Sequence, residues 1–146
     1  MESEQAGRTL VLADADNLWQ LNRFYKRNGH KGKAALSDLG FWLEGDDGII
    51  AGLRLSTAPE YSLMRGLWVE RSRQRQGLGS ELIEQSRPYW PRRPCFCFPY
   101  SHLEPFYQRL GFRPASAFDV PRQLSLQLQR YQTRGDDLIL MGCYLP

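Results

Sequence analysis

Gln74-Arg75-Gln76-Gly77-Leu78-Gly79 is the stretch around which the rest of this 146-residue sequence is organised. An apolar run, Leu63–Val69, precedes it, and a segment follows in which Leu78, Leu82 and Ile83 share one helical face. The pattern predicts a strand, a tight turn and a helix that begins near the first glycine. Glycine lets a ligand approach the backbone closely, and a helix N-terminus offers unpaired N–H groups and partial positive charge. The stretch therefore predicts a binding site for a phosphate or pyrophosphate.

The length and composition are typical of one soluble globular domain, which we expect to span residues 1–146. With 42% apolar and 24% charged residues, the chain can bury a core beneath an ordinary polar surface. No apolar run reaches the roughly 18 residues of a membrane-spanning helix. The first residues, Met1 to Gln5, lack the basic and apolar regions of a signal peptide. We therefore expect a cytoplasmic protein with no membrane partner.

Charge and cysteine content argue against two further kinds of site. A net charge of +3 is too small to indicate a nucleic-acid partner. The basic segment Lys26–Lys33 is interpreted as a solvated loop, or as a rim that attracts an acidic acceptor or cofactor phosphates. Cys95, Cys97 and Cys143 lack the spacing of a disulfide framework or a metal site. We therefore expect no metal, and thiols that fill the core.

Hydrophobic spacing predicts the elements before the glycine turn. In chain order these are a strand at 8–13, a helix to about residue 27, a short helix at 34–39, and strands at 41–44, 49–55 and 61–69. Asp14 or Asp16 can cap the first helix, and Asn28-Gly29 ends it. Asp46-Asp47-Gly48 predicts a tight hairpin, because glycine supplies the positive φ that the turn requires.

The elements after the turn follow from the same spacing. They are a helix at 77–87 that ends before Pro88, a buried strand at 94–99, a helix at 100–110, and strands at 112–120 and 137–144. Gly111 lies where the left-handed cap of the second of these helices belongs. The segment 122–132 fits either a helix or a strand, because its leucines satisfy both periodicities. We favour a helix that Gly135 caps.

The glycine stretch resembles the acyl-CoA-binding motif of the GNAT superfamily of N-acetyltransferases. That motif is Gln or Arg, two residues, Gly, one residue, then Gly or Ala. Phe106-Tyr107-Gln108-Arg109-Leu110-Gly111-Phe112 resembles a second GNAT signature, an aromatic-rich helix that ends Phe-Tyr-x-x-Leu-Gly-Phe. It lies one strand after the first motif, in the order that the superfamily shows. The resemblance implies a single α/β (α+β) domain with a mixed, mostly antiparallel central sheet of six or seven strands flanked by helices.

The resemblance also implies that acetyl-CoA is the cosubstrate. The strand before the turn would offer the backbone of Leu67, Trp68 and Val69 to the pantetheine arm. The amides of the turn and of the first helical residues would hold the pyrophosphate, and these residues are Gln74, Arg75, Gln76, Gly77, Leu78, Gly79 and Ser80. The acceptor would be a primary amine of a small molecule or peptide, and the protein a monomer or homodimer.

Tyr107 is the implied general acid for the departing thiolate, and a phenol is protonated at neutral pH. The general base is open, because Leu63–Gly66 contains no carboxylate and Tyr100 stands where many members carry asparagine. Glu104 and Glu44 are candidates, as are a water relay and an amine that arrives neutral. Ser101 to Glu104 also matches a capping box, in which the Glu104 side chain would bind a backbone N–H and would not act as a base. Because the chain lacks this carboxylate and this asparagine, the alternative function is a non-catalytic acyl-CoA-binding sensor or regulatory module.

Overall fold

The computed structural model describes residues 8–144, which leaves Met1–Gln5 and the expectation drawn from it outside the described residues. The described part contains seven strands and four α-helices. These are β1 (Thr9–Leu12), α1 (Leu18–Arg27), β2 (Leu39–Gly45), β3 (Gly48–Thr57), β4 (Ser62–Val69), α2 (Leu78–Ser86), β5 (Cys95–Cys97), α3 (Glu104–Arg109), β6 (Arg113–Pro114), α4 (Arg122–Thr133) and β7 (Met141–Cys143). No helix within residues 8–144 is long and apolar enough to cross a membrane.

The strand order is β1-β2-β3-β4-β5-β7-β6. β4 pairs with β5 in parallel, whereas β1 with β2, β2 with β3, β5 with β7 and β6 with β7 pair antiparallel. The predicted α/β class with a mixed, mostly antiparallel sheet is therefore confirmed, and the sheet has seven strands. Backbone contacts divide the described residues into two compact units, 8–58 with 64–90, and 59–63 with 91–144. The prediction of one domain over residues 1–146 stays a prediction.

The first unit carries α1, α2, the β1–β3 meander and most of β4. Helix α1 buries one face, because Leu18, Leu21, Phe24 and Tyr25 recur at helical spacing and pack with Trp42 of β2. Gly29, with φ +77°, ends this helix as predicted. The predicted hairpin is also present: Gly45 pairs with Gly48, whose φ of +117° closes the turn.

The second unit is built on β5, β6, β7, α3, α4 and the first two residues of β4. Ser62 and Leu63 of β4 pair with Cys95 and Phe96 of β5. The core of this unit joins Leu63, Phe96, Leu124 and Leu140. Helix α4 confirms the favoured assignment of the ambiguous segment.

The short helix predicted at 34–39 is wrong. Ala34 exchanges both of its backbone hydrogen bonds with the side chain of Asn22 on α1, at 2.7 and 3.1 Å. The N–H of Ala35 donates to the Asp38 carboxylate at 2.8 Å. Side chains therefore form the hydrogen bonds that the backbone groups would make in a helix. The bonds from Asn22 also hold the loop against α1.

The strand predicted at 112–120 is largely wrong as well. β6 contains only Arg113 and Pro114, and a 3₁₀ turn at Ala115–Ala117 follows. Proline lacks the N–H that would continue the ladder, so the strand stops there.

Candidate functional site

The glycine turn presents backbone N–H groups at the start of α2. Gly77 is the N-cap residue, with φ +78°, and Arg75 has φ +68°, which is uncommon outside glycine. The first hydrogen bond into the helix runs from the Glu81 N–H to the Gly77 carbonyl at 3.0 Å. The N–H groups of Leu78, Gly79 and Ser80 precede that bond, so they are free of the helical ladder. This geometry is suited to an anion.

An ion pair compensates the acidic side chain in the first turn of α2. Arg8 donates to both carboxylate oxygens of Glu81, at 2.6 and 3.1 Å, and Gln85 donates to the same carboxylate at 2.9 Å. A free carboxylate here would repel a phosphate. Because Arg8 neutralises Glu81, the helix start remains attractive to an anion.

The end of β4 lies directly before the glycine turn. Within the described residues, β5 pairs with β4 only at Ser62 and Leu63, so the later part of β4 is an open edge on that side. Leu67, Trp68 and Val69 in this part are half-buried. An edge strand offers backbone groups to an extended ligand, as strand-addition complexes do. The Val69 carbonyl accepts a hydrogen bond from the Gln74 side chain at 3.3 Å, which ties this strand to the turn.

Gly66 breaks the regular geometry of β4 just before Leu67. Its φ is +63°, and its carbonyl accepts a hydrogen bond from the Tyr25 hydroxyl at 2.8 Å. A Cβ at this position would overlap the Arg54 guanidinium and lie 2.6 Å from the Tyr25 oxygen. Only glycine satisfies both the backbone conformation and the space, so Tyr25 and Arg54 fix the start of the Leu67–Val69 segment.

We expect Gly66→Ala to destabilise the protein more than Gly29→Ala. Both glycines have positive φ, which costs an alanine about 1–2 kcal/mol. Only at Gly66 does the new Cβ also meet neighbouring atoms, whereas nothing lies within 4 Å at Gly29. The free energy of unfolding from urea titration should fall by about 1 kcal/mol for Gly29→Ala and at least about twice that for Gly66→Ala. Equal losses would show that the contacts around Gly66 do not constrain β4.

Tyr107 lies on α3 in the second unit, with its ring buried. Phe106 and Phe112 contact the ring edge-on, at centroid distances of 5.0 and 5.5 Å. Burial, and to a lesser extent the nearby Cys97 thiol, raises the pKa of Tyr107 above its ordinary value. Its hydroxyl donates to no other residue within the described range. The phenol is therefore protonated at neutral pH, and its O–H is available to a ligand.

The candidate carboxylates differ in their surroundings. Glu104 begins α3 and is half-buried, one helical turn before Tyr107, and it accepts a hydrogen bond from Gln108 at 3.1 Å. The predicted capping box is wrong, because the Ser101 hydroxyl donates instead to the Asp137 carboxylate at 2.7 Å. In the first unit, Glu44 accepts a hydrogen bond from the Trp42 indole at 3.0 Å. Of these two, only Glu104 shares a helix with Tyr107.

The three cysteines are buried. Burial, with a smaller contribution from Cys143, raises the pKa of Cys97 well above its ordinary value. A thiol in this state is a poor nucleophile, since the thiolate is the reactive form. Across residues 8–144, no group of three His, Cys, Asp or Glu side chains is placed to hold a metal ion.

Residues 37–114, more than half of the chain, match a family model described as an acetyltransferase (GNAT) domain. The chain belongs to this family. The resemblance first seen in the glycine stretch is thereby confirmed, and the model spans that stretch and Phe106–Phe112. A search of curated protein sequences found no match.

Several solved structures share the fold of this chain at low sequence identity. Escherichia coli ElaA is 14% identical, with a TM-score of 0.66 over 93% of this chain and 99% of its own. The ribosomal-protein-S18-alanine N-acetyltransferase of E. coli is 18% identical, with a TM-score of 0.66 over 94% of both chains. A GNAT acetyltransferase from Elizabethkingia anophelis, solved with acetyl-CoA bound, is 15% identical, with a TM-score of 0.61 over 97% of this chain and 100% of its own.

The first unit of this GNAT chain holds Leu67–Val69 and Gln74–Ser80 on one strand, one turn and one helix. The second unit holds Tyr107 and Glu104 on α3. Sequence reasoning missed Arg54 and Tyr25, which surround Gly66. A charged residue inside the apolar run Ile49–Leu55 was the sequence signal that could have identified Arg54 as a functional residue.

Proposed function

We propose that this GNAT chain transfers the acetyl group of acetyl-CoA directly to the nitrogen of a primary amine. The observation that carries the proposal is the backbone of the glycine turn, where positive φ at Arg75 and Gly77 precedes the unpaired N–H groups of α2. Such a turn suits the pyrophosphate of CoA. The family match supports acyl transfer as the chemistry.

The proposed cofactor residues act mainly through their backbone. The amides of Gln74 to Ser80 hold the pyrophosphate, and the edge of Leu67–Val69 receives the pantetheine arm as an added strand. In this arrangement the arm runs back from the turn towards Gly66, so the thioester lies at the Gly66 end. A backbone N–H at that end can polarise the thioester carbonyl.

The transfer conserves protons. The amine nitrogen forms a bond to the acetyl carbon, the carbon–sulfur bond breaks, the nitrogen loses a proton and the sulfur gains one. Tyr107 is the proposed donor to the sulfur, and its raised pKa keeps the phenol protonated until the thiolate develops. The buried state of Cys97 supports this direct route over an acyl-cysteine intermediate.

Glu104 is the proposed acceptor of the amine proton. It lies three residues before Tyr107, a spacing that places two side chains on one helix face. An amine that arrives neutral would not need it. Replacement by glutamine separates the two cases, because only a base would shift the lower limb of the pH profile of kcat/KM.

A thiol-release screen with acetyl-CoA and classes of primary amines tests the proposed function. We expect CoA thiol release that requires one amine class, together with saturable acetyl-CoA binding in the absence of amine. Binding without release across the whole screen would favour a non-catalytic acyl-CoA sensor instead. No binding of acetyl-CoA would refute both functions.

A further inference from the structure

Arg54 of β3 is a buried cation without a carboxylate partner in the described part of the chain. Its side chain and backbone together are 7% exposed. Its guanidinium lies over the Tyr25 ring, 5.3 Å from the centroid, and one nitrogen, Nη1, lies 3.3 Å from His30 Nε2. No ion pair joins it to an acidic residue within residues 8–144. An unpaired charge in such a position is costly for a folded protein.

Neither neighbour of Arg54 supplies a negative charge. Burial raises the pKa of Tyr25 to about 12, so the phenol is neutral at physiological pH. Burial and the positive charge of Arg54 lower the pKa of His30, so the imidazole is neutral as well. Because a guanidinium only donates, His30 Nε2 is the acceptor of this contact and the ring proton is assigned to Nδ1. The Asp38 carboxylate is close enough to add to the raised pKa of Tyr25, but it forms no ion pair with Arg54 within residues 8–144.

An open groove of about 640 Å³ runs along α1 and the following loop, and the Arg54 guanidinium lies directly behind two of its lining residues, His30 and Gly32. Gly32 lines this groove, and a Cβ built on it would lie 2.6 Å from Arg54 Nη2 and 2.5 Å from His30 Nε2. The lining residues include four exposed cations and no carboxylate within the described range, and the cations are Arg23, Lys26, Lys31 and Lys33. The volume suits a small molecule, and the charge suits an anion.

Arg54 also marks one end of the proposed pantetheine strand. Its guanidinium lies against Gly66, three residues before Val69 and on the far side of that segment from the glycine turn. A pyrophosphate held at Gln74–Ser80 would therefore be at the other end of the strand. The end near Arg54 is where the thioester would lie, and the acceptor must reach it.

We propose that Arg54 binds the carboxylate of the acceptor, so that the substrate is a small amine that carries a carboxylate, such as an amino acid. This inference rests on the proposed function. A planar guanidinium pairs with a carboxylate through two parallel hydrogen bonds, and burial strengthens such a pair. His30 contacts the guanidinium from one side, and the Trp68 ring packs against the His30 ring in a tilted arrangement at a centroid distance of 4.9 Å.

Matched acceptor pairs test the inference. The probes are amino acids with different spacings between amine and carboxylate, each compared with its primary carboxamide, in the acetyl-CoA thiol-release assay. Glycine, β-alanine, 4-aminobutyrate and the common L-amino acids cover the spacings. We expect kcat/KM for the best acid to exceed that for its amide by at least about tenfold.

The variant Arg54→Gln should lose that preference, leaving acid and amide within about twofold. Both acceptors are compared at saturating acetyl-CoA, so that any change in cofactor binding cancels in their ratio. Arg54→Lys is the matched control, because it retains the charge and should retain part of the preference.

Three results would overturn the inference while leaving the proposed function intact. The acids could react no better than the amides, or their preference could survive in Arg54→Gln. The enzyme could also acetylate a peptide amine but none of the small acids. Failure of the wild-type protein to bind acetyl-CoA would instead refute the proposed function, and the inference would fall with it. If Arg54 instead binds a phosphate of the cofactor, Arg54→Gln would weaken acetyl-CoA binding and leave the preference for the acid intact, which would also overturn the inference.

Discussion

Gly77→Asp should weaken acetyl-CoA binding by at least about tenfold. Gly77 is exposed, has φ +78°, and has no atom within 4 Å of a built Cβ, so the new side chain has room. It would place a carboxylate at the N-terminus of α2, where the pyrophosphate is proposed to bind. Two unit charges about 4 Å apart repel by roughly 1–4 kcal/mol between water and a surface-like dielectric, and about 1.4 kcal/mol is tenfold in Kd. Calorimetric titration with acetyl-CoA measures the change.

Gly77→Asn is the control for that variant. Asparagine has nearly the same shape as aspartate, and both tolerate the left-handed conformation better than other side chains. The difference in Kd between the two variants therefore reports the charge. Asp and Asn are both good N-cap residues, so both variants should have similar Tm values. Equal Kd values for the two variants would show that the pyrophosphate does not bind at the start of α2.

Tyr107→Phe should lower kcat by about 10²–10⁴-fold, the usual contribution of a positioned proton donor. The hydroxyl has no hydrogen-bond partner among residues 8–144, so its removal breaks no internal contact. The buried ring and its edge-on contacts with Phe106 and Phe112 remain possible in phenylalanine. Stability should therefore change little, and Kd for acetyl-CoA should stay within a few-fold of the wild-type value.

Phe106→Leu is a suitable comparison for Tyr107→Phe, because it disturbs the aromatic packing and keeps the hydroxyl. We expect a loss of stability from this variant and a smaller loss of kcat. A wild-type kcat in Tyr107→Phe would remove the phenol from the proposed mechanism. A proportional loss of kcat and stability in both variants would assign Tyr107 to packing alone.

Local signals predicted the parts of the fold that short-range chemistry determines. Asp46-Asp47-Gly48 specified its hairpin, because the required positive φ lies on the glycine. The spacing of Leu18, Leu21 and Tyr25 specified α1. In α4 the helical periodicity was the correct one, since Leu124 is buried whereas Leu126 is 41% exposed. Leu63–Val69 specified β4 and Gln74–Gly79 specified the turn and the start of α2 in the same way.

The parts that could not be predicted depend on residues far apart in the sequence. The loop after α1 is not helical because Asn22 and Asp38 bind its backbone, and spacing alone does not reveal those partners. Tyr25 and Arg54 determine the surroundings of Gly66, and they lie 41 and 12 residues before it in the sequence. The basic loop Lys26–Lys33 could be interpreted as a solvated connection or as a rim for an anion, and its spacing did not indicate that Arg54 lies next to Gly32.

The most direct test of direct acetyl transfer is mass spectrometry of both products in one reaction. Purified protein is incubated with acetyl-CoA and the best amine from the screen, and the amine and the CoA thiol are quantified together. We predict one N-acetylated amine for each CoA thiol released, with no acetyl group on the protein. CoA thiol without an acetylated amine, or acetyl on Cys97 before the amine is added, would contradict the account.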